Sequence, residues 1–178
     1  IMKRAESDIS EQMKIAKEVS DDIRKRGDEA VLEYTAKFDH VTLSADEMKV
    51  KPEEIEAGYE RLDAETREAI EYAVKNIRNF HSKQMPEEMW FTEVDKGLLV
   101  GEKTTPIVDV CLYVPRGKGS FPSVLCMLAT PAVVAGVEKI VVVTPPNEEG
   151  NVDDAILAAA KIIGVSEIYK VGGIQAVA

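Results

Sequence analysis

Residues 108–146 restrict the fold most, because a short apolar segment, a turn-rich loop, an apolar helical pattern and a second apolar segment follow one another there. Residues 108–114 and 139–144 are short, apolar and rich in β-branched side chains, which is typical of strands buried on both faces. Between them, Ser123 can cap a helix that Gly136 can close. This strand–loop–helix–strand unit predicts a right-handed crossover between two parallel strands.

The same alternation continues in the residues that follow. A second helix is expected over residues 153–163 and a third strand over 167–171, and each of the two later strands is opened by a Gly-Val pair. Gly172-Gly173 then begins a further helix near the end of the chain. The pattern predicts an incomplete Rossmann-like parallel sheet with helices packed on it.

The residues before this unit have a different pattern. Apolar side chains at helical spacing, with capping residues and Pro52 at a helix start, indicate a mostly helical region. The expected helices cover residues 9–26, 28–38, 52–61 and 63–83. Residues 89–94 and 98–107 are expected to form a hairpin around Gly97, with Trp90 as a packing residue. The fold class is therefore α/β, with a mostly helical part over residues 1–107 and the first part of a Rossmann-like domain over 108–178.

The loop over residues 115–122 joins a predicted strand to a predicted helix. Backbone N–H groups at such a junction can face a phosphate. The loop lacks the Gly-Lys-Ser/Thr of a P-loop, and Pro122 stands where a dinucleotide fingerprint has its third glycine. A phosphate contact and an ordinary strand–helix connection both stay open.

Composition excludes several classes of partner. The formal net charge is −10, which argues against nucleic acid or an anionic membrane as a partner, because both attract clustered Lys and Arg. No apolar run is long enough to span a bilayer, and we expect no signal peptide. Cys111 and Cys126 lie in apolar segments, which favours buried thiols over a disulfide. Free thiols are consistent with a reducing cytoplasm.

The residue pattern gives only a weak signal for metal ligands or catalytic groups. The glutamates between residues 53 and 71 are interpreted as solvated helix faces, and His40 and His81 as surface residues without ligand partners at a suitable spacing. Tyr34 and Asp39 are interpreted as a packing residue and a helix-end turn. We therefore predict no catalytic and no metal-binding residue in this chain.

Several short segments give a more specific indication than these patterns. They are Arg26-Gly27-Asp28-Glu29-Ala30, Tyr34-Thr35-Ala36-Lys37-Phe38-Asp39, Leu112-Tyr113-Val114-Pro115, Phe121-Pro122-Ser123-Val124-Leu125, Ala129-Thr130-Pro131-Ala132, Val134-Ala135-Gly136-Val137, Val143-Thr144-Pro145-Pro146 and Val171-Gly172-Gly173-Ile174-Gln175-Ala176. In order and with short gaps, they resemble the histidinol dehydrogenase family over nearly the whole chain.

The resemblance implies an enzyme that oxidises L-histidinol to L-histidine in two NAD-dependent steps. Members of the family are zinc-containing cytoplasmic homodimers, more than twice as long as this chain, and use a Glu-His pair as acid and base. The zinc ligands and that pair lie in later regions of the family, so the chain is expected to be an N-terminal portion that is inactive alone. Its second part would then be the first part of a truncated NAD-binding domain.

Two residues match NAD-binding positions of the family. Tyr113 corresponds to a tyrosine and Gln175 to a glutamine that contact NAD. Both lie at the C-terminal ends of predicted parallel strands, where α/β sheets bind ligands. We therefore expect Tyr113 and Gln175 to be cofactor-binding residues.

Arg116 departs from the family, many of whose members have glycine at that position. It can contact a phosphate, or mark a branch that oxidises another small polar alcohol with NAD and zinc. A third alternative is a stand-alone nucleotide-binding or dimerisation module without enzymatic activity. The sequence leaves these alternatives open.

Overall fold

The computed structural model describes residues 9–117 and 119–178. In chain order the elements are α1 (Ser10–Arg26), α2 (Asp28–Phe38), α3 (Ala45–Met48), α4 (Pro52–Arg61), α5 (Ala64–Ser82), β1 (Met89–Asp95), β2 (Leu98–Lys103), β3 (Asp109–Tyr113), α6 (Pro122–Val134), β4 (Lys139–Val143), α7 (Asp154–Ile163), β5 (Glu167–Tyr169) and a 3₁₀ helix (Ile174–Ala176). This order confirms the predicted α/β class, with a helical first part, a hairpin and an incomplete parallel sheet. None of the described helices is both long and apolar enough to cross a membrane.

The helix boundaries follow local sequence signals. Gly27 separates α1 from α2 with φ of 61°, a left-handed value that suits glycine. Pro52 begins α4 as predicted, and the carboxylate of Asp63 accepts a hydrogen bond from the Thr66 N–H at 2.9 Å to cap α5. Ser123 does not cap α6, because that helix already begins at Pro122 and Ser123 lies in its first turn.

The hairpin of β1 and β2 is exposed on both faces. Its strands pair antiparallel, with Asp95 opposite Leu98 across the Lys96-Gly97 turn. Trp90 is 41% exposed, so its prediction as a packing residue is wrong. The physical reason is that the two strands pack chiefly on each other, and a two-stranded ribbon has no interior.

The parallel sheet has the order β3-β4-β5. Because both crossovers run in the same direction across the sheet, the right-handed rule places α6 and α7 on one face. Leu112, Val142 and Ile168 are aligned across the strands and belong to the cluster of apolar residues beneath those helices. Helices α4 and α5 pack on the outer side of α6 and α7.

One hydrophobic core crosses the predicted boundary at residues 107 and 108. Ile55 of α4 and Ile70 of α5 belong to the same buried cluster as Leu125 and Ile156. The division into domains stays a prediction, but helices on its N-terminal side complete the core of the sheet's helical layer.

The other face of the sheet is open along β3. Asp109, Cys111 and Tyr113 alternate along the strand as exposed residues. The prediction of a buried Cys111 is therefore wrong, whereas Cys126 is buried, and both thiols are free. The expectation that β3 is buried on both faces is also wrong. Within the described residues β3 is an edge strand that pairs only with β4, and helices cover only one of its faces.

Candidate functional site

The candidate site lies at the carboxyl edge of the parallel sheet. Two backbone hydrogen bonds extend the ladder past the strand ends: the Val114 N–H donates to the Val143 carbonyl at 2.9 Å, and the Thr144 N–H donates to the Tyr169 carbonyl at 3.1 Å. These bonds hold the three chain segments side by side where they leave the sheet. Ligands of open α/β sheets bind beyond this edge.

Tyr113 stands at the end of β3 with 37% of its surface exposed. It lines a cavity of about 480 Å³ together with Gly173 and Ile174 from the far end of the chain. Ala16 and Ser20 of α1 form the opposite wall. The structure thus brings the tyrosine to the segment that contains Gln175, in a mostly apolar setting where a flat ring can stack on a ligand.

Gln175 is nearly buried, with 3% of its surface exposed. Its Nε2 donates a hydrogen bond to Oδ2 of Asp39 at 2.9 Å, across 136 positions of the chain. Its Oε1 is buried and has no hydrogen-bond partner among the described residues. A buried acceptor without a donor is unfavourable, and this oxygen is enclosed by the protein, since Gln175 itself does not line the cavity beside Tyr113.

Asp39 was missed by sequence reasoning as a member of this site. It immediately follows α2, where an aspartate is typical of a helix end, and no local pattern connects it to residue 175. Burial raises the pKa of the Asp39 carboxyl, and the hydrogen bond from Gln175 and the charge of His40 offset this only in part. His40 has a φ of 59°, so the chain turns sharply straight after Asp39.

Two glycines allow the segment that follows β5 to pack closely against the segment that follows β4. A Cβ atom on Gly172 would lie 2.3 Å from Cγ of Pro145, which follows β4. A Cβ atom on Gly173 would lie 2.7 Å from Oε1 of Gln175, and Gly173 has a φ of 59°. A side chain at either position would therefore separate segments that the site needs together.

The loop that follows β3 closes one side of the edge. Pro115, Arg116 and Phe121 face Thr144 and Pro145 around a small cavity. Arg116 is exposed and makes no ion pair within residues 9–117 and 119–178. The phosphate contact considered for this loop stays a prediction.

A larger polar cleft of about 600 Å³ lies between α4 and the start of α7. Three of its charged lining residues are paired: Arg61 donates to both carboxylate oxygens of Asp154, and Glu54 accepts a hydrogen bond from the buried Lys170 ammonium at 2.6 Å. Burial alone would raise the pKa of Glu54, but Lys170 and the Lys51 N–H bring it below its usual value. These contacts tie the outer helices to the sheet.

No metal site is formed by the part of the chain that the structure describes. Within it, no three or more His, Cys, Asp or Glu side chains are arranged to hold an ion. The described residues therefore offer no zinc site, whereas the mostly apolar cavity beside Tyr113 leaves room for a ligand ring.

Comparison with known proteins gives one consistent answer. A family model described as histidinol dehydrogenase matches residues 2–178. The histidinol dehydrogenase of Synechocystis sp. is 46% identical over all of this chain and 41% of that protein, and that of Geobacillus kaustophilus is 45% identical over 97% of this chain and 40% of that protein. A histidinol dehydrogenase homolog of Colwellia psychrerythraea is 40% identical over the whole chain.

A solved structure shows the same similarity in three dimensions. The crystal structure of histidinol dehydrogenase from Elizabethkingia anophelis superposes with a TM-score of 0.89 at 35% identity, over 99% of this chain and 39% of that one. The chain therefore spans about 40% of the length of the relatives it matches.

Proposed function

Because the chain belongs to the histidinol dehydrogenase family, we propose that it supplies part of the NAD site of an enzyme that oxidises L-histidinol to L-histidine in two steps. The observation that carries this proposal is the carboxyl edge of the sheet, where Tyr113 and Gly173 line one cavity. The relatives are oxidoreductases by name. When bound, NAD supplies the hydride acceptor.

Tyr113 and Gln175 are the residues proposed to hold the nucleotide. Tyr113 offers an exposed ring face and a hydroxyl that can donate or accept a hydrogen bond. Gln175 offers Oε1 as a fixed acceptor for a hydroxyl or amide donor. The glycines before Gln175 let a ligand approach the backbone closely, and α1 shields one side of the cavity from water.

Zinc and the acid–base pair are proposed to be supplied by residues outside this chain. This follows from the resemblance to the family. The chain alone, given zinc, NAD and L-histidinol, is expected to form no NADH, as measured by absorbance. Measurable turnover would contradict this assignment.

A homodimeric, cytoplasmic enzyme is the proposed setting. The exposed apolar residues of the hairpin, such as Phe91 and Leu99, and the open face of β3 support further contacts in a longer or dimeric protein. The two free cysteines support a reducing compartment.

The test is NAD binding to this chain, measured by isothermal titration calorimetry. We expect saturable binding, and Tyr113→Ala should weaken it roughly tenfold, on the order of one stacked ring. Tyr72→Ala is the matched control, because Tyr72 is 68% exposed on α5 and does not line the cavity. Absence of binding, or equal affinity for wild type and Tyr113→Ala, would refute the proposed site.

A second candidate is a related NAD- and zinc-dependent enzyme for another small polar alcohol. It is favoured by Arg116, an exposed cation at the edge of the site, and by relatives named only as histidinol dehydrogenase homologs. A screen of polar alcohols with a protein of the relatives' full length would separate the two. Preference for an alcohol other than histidinol would favour this candidate.

A further inference from the structure

The contact between Asp39 and Gln175 fixes the orientation of the glutamine amide. An ionised carboxylate can only accept hydrogen bonds, whereas an amide has one donating and one accepting end. The nitrogen of Gln175 therefore has to face Asp39, as it does at 2.9 Å. It follows that Oε1 is directed to the other side.

On that other side Oε1 lies against Gly173. The oxygen would be 2.7 Å from a Cβ atom built on that glycine, so the amide occupies the space that any other residue would fill. Gly173 also lines the cavity beside Tyr113. The accepting end of Gln175 thus lies behind Gly173, which lines the cavity, while Gln175 itself does not line it.

The oxygen has no donor of its own. Gln175 is 3% exposed, and Oε1 is one of the few buried side-chain atoms in residues 9–117 and 119–178 without a partner. Holding a buried acceptor unpaired is unfavourable unless a ligand supplies the donor. Without Asp39 the amide could turn over and present its NH₂ group instead.

We infer that Asp39 is a positioning residue of the nucleotide site: by accepting from Nε2, it presents Oε1 of Gln175 as the acceptor for a hydroxyl or amide of the nucleotide. The inference rests on the proposed binding of NAD. It assigns Asp39 no contact with the ligand. The competing explanation is a purely structural tie between α2 and the 3₁₀ helix.

A double-mutant cycle distinguishes the two, with NAD affinity measured by calorimetry on the whole chain. Asp39→Ala should weaken binding about tenfold, as expected for a lost hydrogen bond to a charged group. Asp39→Asn should stay within about threefold, because its Oδ1 can accept from the same nitrogen. In a Gln175→Ala background, Asp39→Ala should have no further effect.

Asp63→Ala is the matched control, because Asp63 is also an aspartate at a helix end but caps α5 away from the cavity. It should lower stability without changing NAD affinity. The inference is overturned if Asp39→Ala binds NAD like wild type, if Asp39→Asn is as weak as Asp39→Ala, or if the loss persists without Gln175.

A second measurement does not depend on NAD. In the free chain, the two side-chain amide protons of Gln175 should have chemical shifts displaced from those of a free glutamine amide. These shifts should move to the free-amide values in Asp39→Ala but not in Asp39→Asn. Unchanged signals in Asp39→Ala would overturn the inference. If the signals behave as expected but wild type binds no NAD, the proposed function fails, and the contact is reduced to a structural tie.

Discussion

The two faces of the parallel sheet differ sharply along β3, whereas on β4 even Val143, the neighbour of Tyr113, is buried. On the helical side, Val142 and Ile168 are fully buried beneath α6 and α7. On the other side, Cys111 and Tyr113 of β3 are exposed. The helical side therefore holds the fold together, while the exposed side of β3 and the adjoining carboxyl edge are free to meet a ligand or further protein.

The largest effect is expected from a cavity on the helical side. Leu125 of α6 is completely buried, so Leu125→Ala should lower the free energy of unfolding by about 2–5 kcal/mol, measured by urea denaturation. Leu99→Ala is the control, since Leu99 is 67% exposed in the hairpin and should change stability by less than about 0.5 kcal/mol. Similar losses in the two variants would contradict the division between a closed and an open side.

An intermediate effect is expected at the carboxyl edge, where residues contribute both to the stability of the fold and to the candidate binding site. Gly172→Ala places a methyl group 2.3 Å from the Pro145 ring, and a proline ring cannot rotate away. We expect a loss of about 1–3 kcal/mol in unfolding free energy, together with weaker NAD binding because Gly173 is displaced. Both quantities can be measured on the same sample.

Gly119→Ala provides the control for that substitution. A Cβ atom at Gly119 meets no atom within 4 Å, so this variant should keep the stability of wild type. Normal NAD affinity in Gly172→Ala would show that the packing of Gly172 against Pro145 does not affect the nucleotide site, which would contradict this prediction.

The smallest effect is expected away from both faces, at Asp22 of α1, which pairs with Arg26 of the same helix and accepts a hydrogen bond from Tyr34 of α2. Hydrogen bonds from Arg26 and, to a lesser degree, Tyr34 lower the pKa of Asp22 from 3.8 to about 2. Because the folded pKa lies below the unfolded one, the stabilisation is complete above the unfolded value and is lost as the pH falls through about 2. Asp22→Asn should therefore be less stable than wild type at pH 6, and the gap should narrow in acid.

Urea denaturation of both proteins at pH 6 and at progressively lower pH tests this dependence. Asp46→Asn on the short helix α3 serves as the control, since Asp46 makes no ion pair within the described residues. A gap between Asp22→Asn and wild type that does not change with pH would show that the contribution is not electrostatic.

The sequence predicts the helices and their ends well because these depend on neighbouring residues. Pro52, Asp63 and Gly27 each act within one turn of the helix they begin or end. The order of the parallel strands is also predictable, because a right-handed crossover leaves few arrangements.

Predictions that depend on distant partners fared differently. Trp90 and Cys111 have the apolar character of buried residues but are exposed. Their exposure depends on which elements pack on them, and no local pattern contains that information. The hydrogen bond between Asp39 and Gln175 is similar, since 136 positions separate its partners.

The position of the candidate site was predictable, but its internal contacts were not. Tyr113 is the last residue of β3, and strand ends of a parallel sheet meet at one edge, so its place follows from topology. The position of Ala16 and Ser20 of α1 beside the cavity could not be deduced. An apolar stripe shows which face of a helix is buried, but it does not show which element packs on that face.

The most direct test of the central claim is the mapping of NAD on the chain by NMR chemical shifts. We expect the largest shifts at Tyr113 and in the Gly172–Gln175 segment, with small shifts in the exposed hairpin. Shifts concentrated instead in the polar cleft around Glu54 and Arg61, or no shifts at saturating NAD, would contradict the assignment of the carboxyl edge as the nucleotide site.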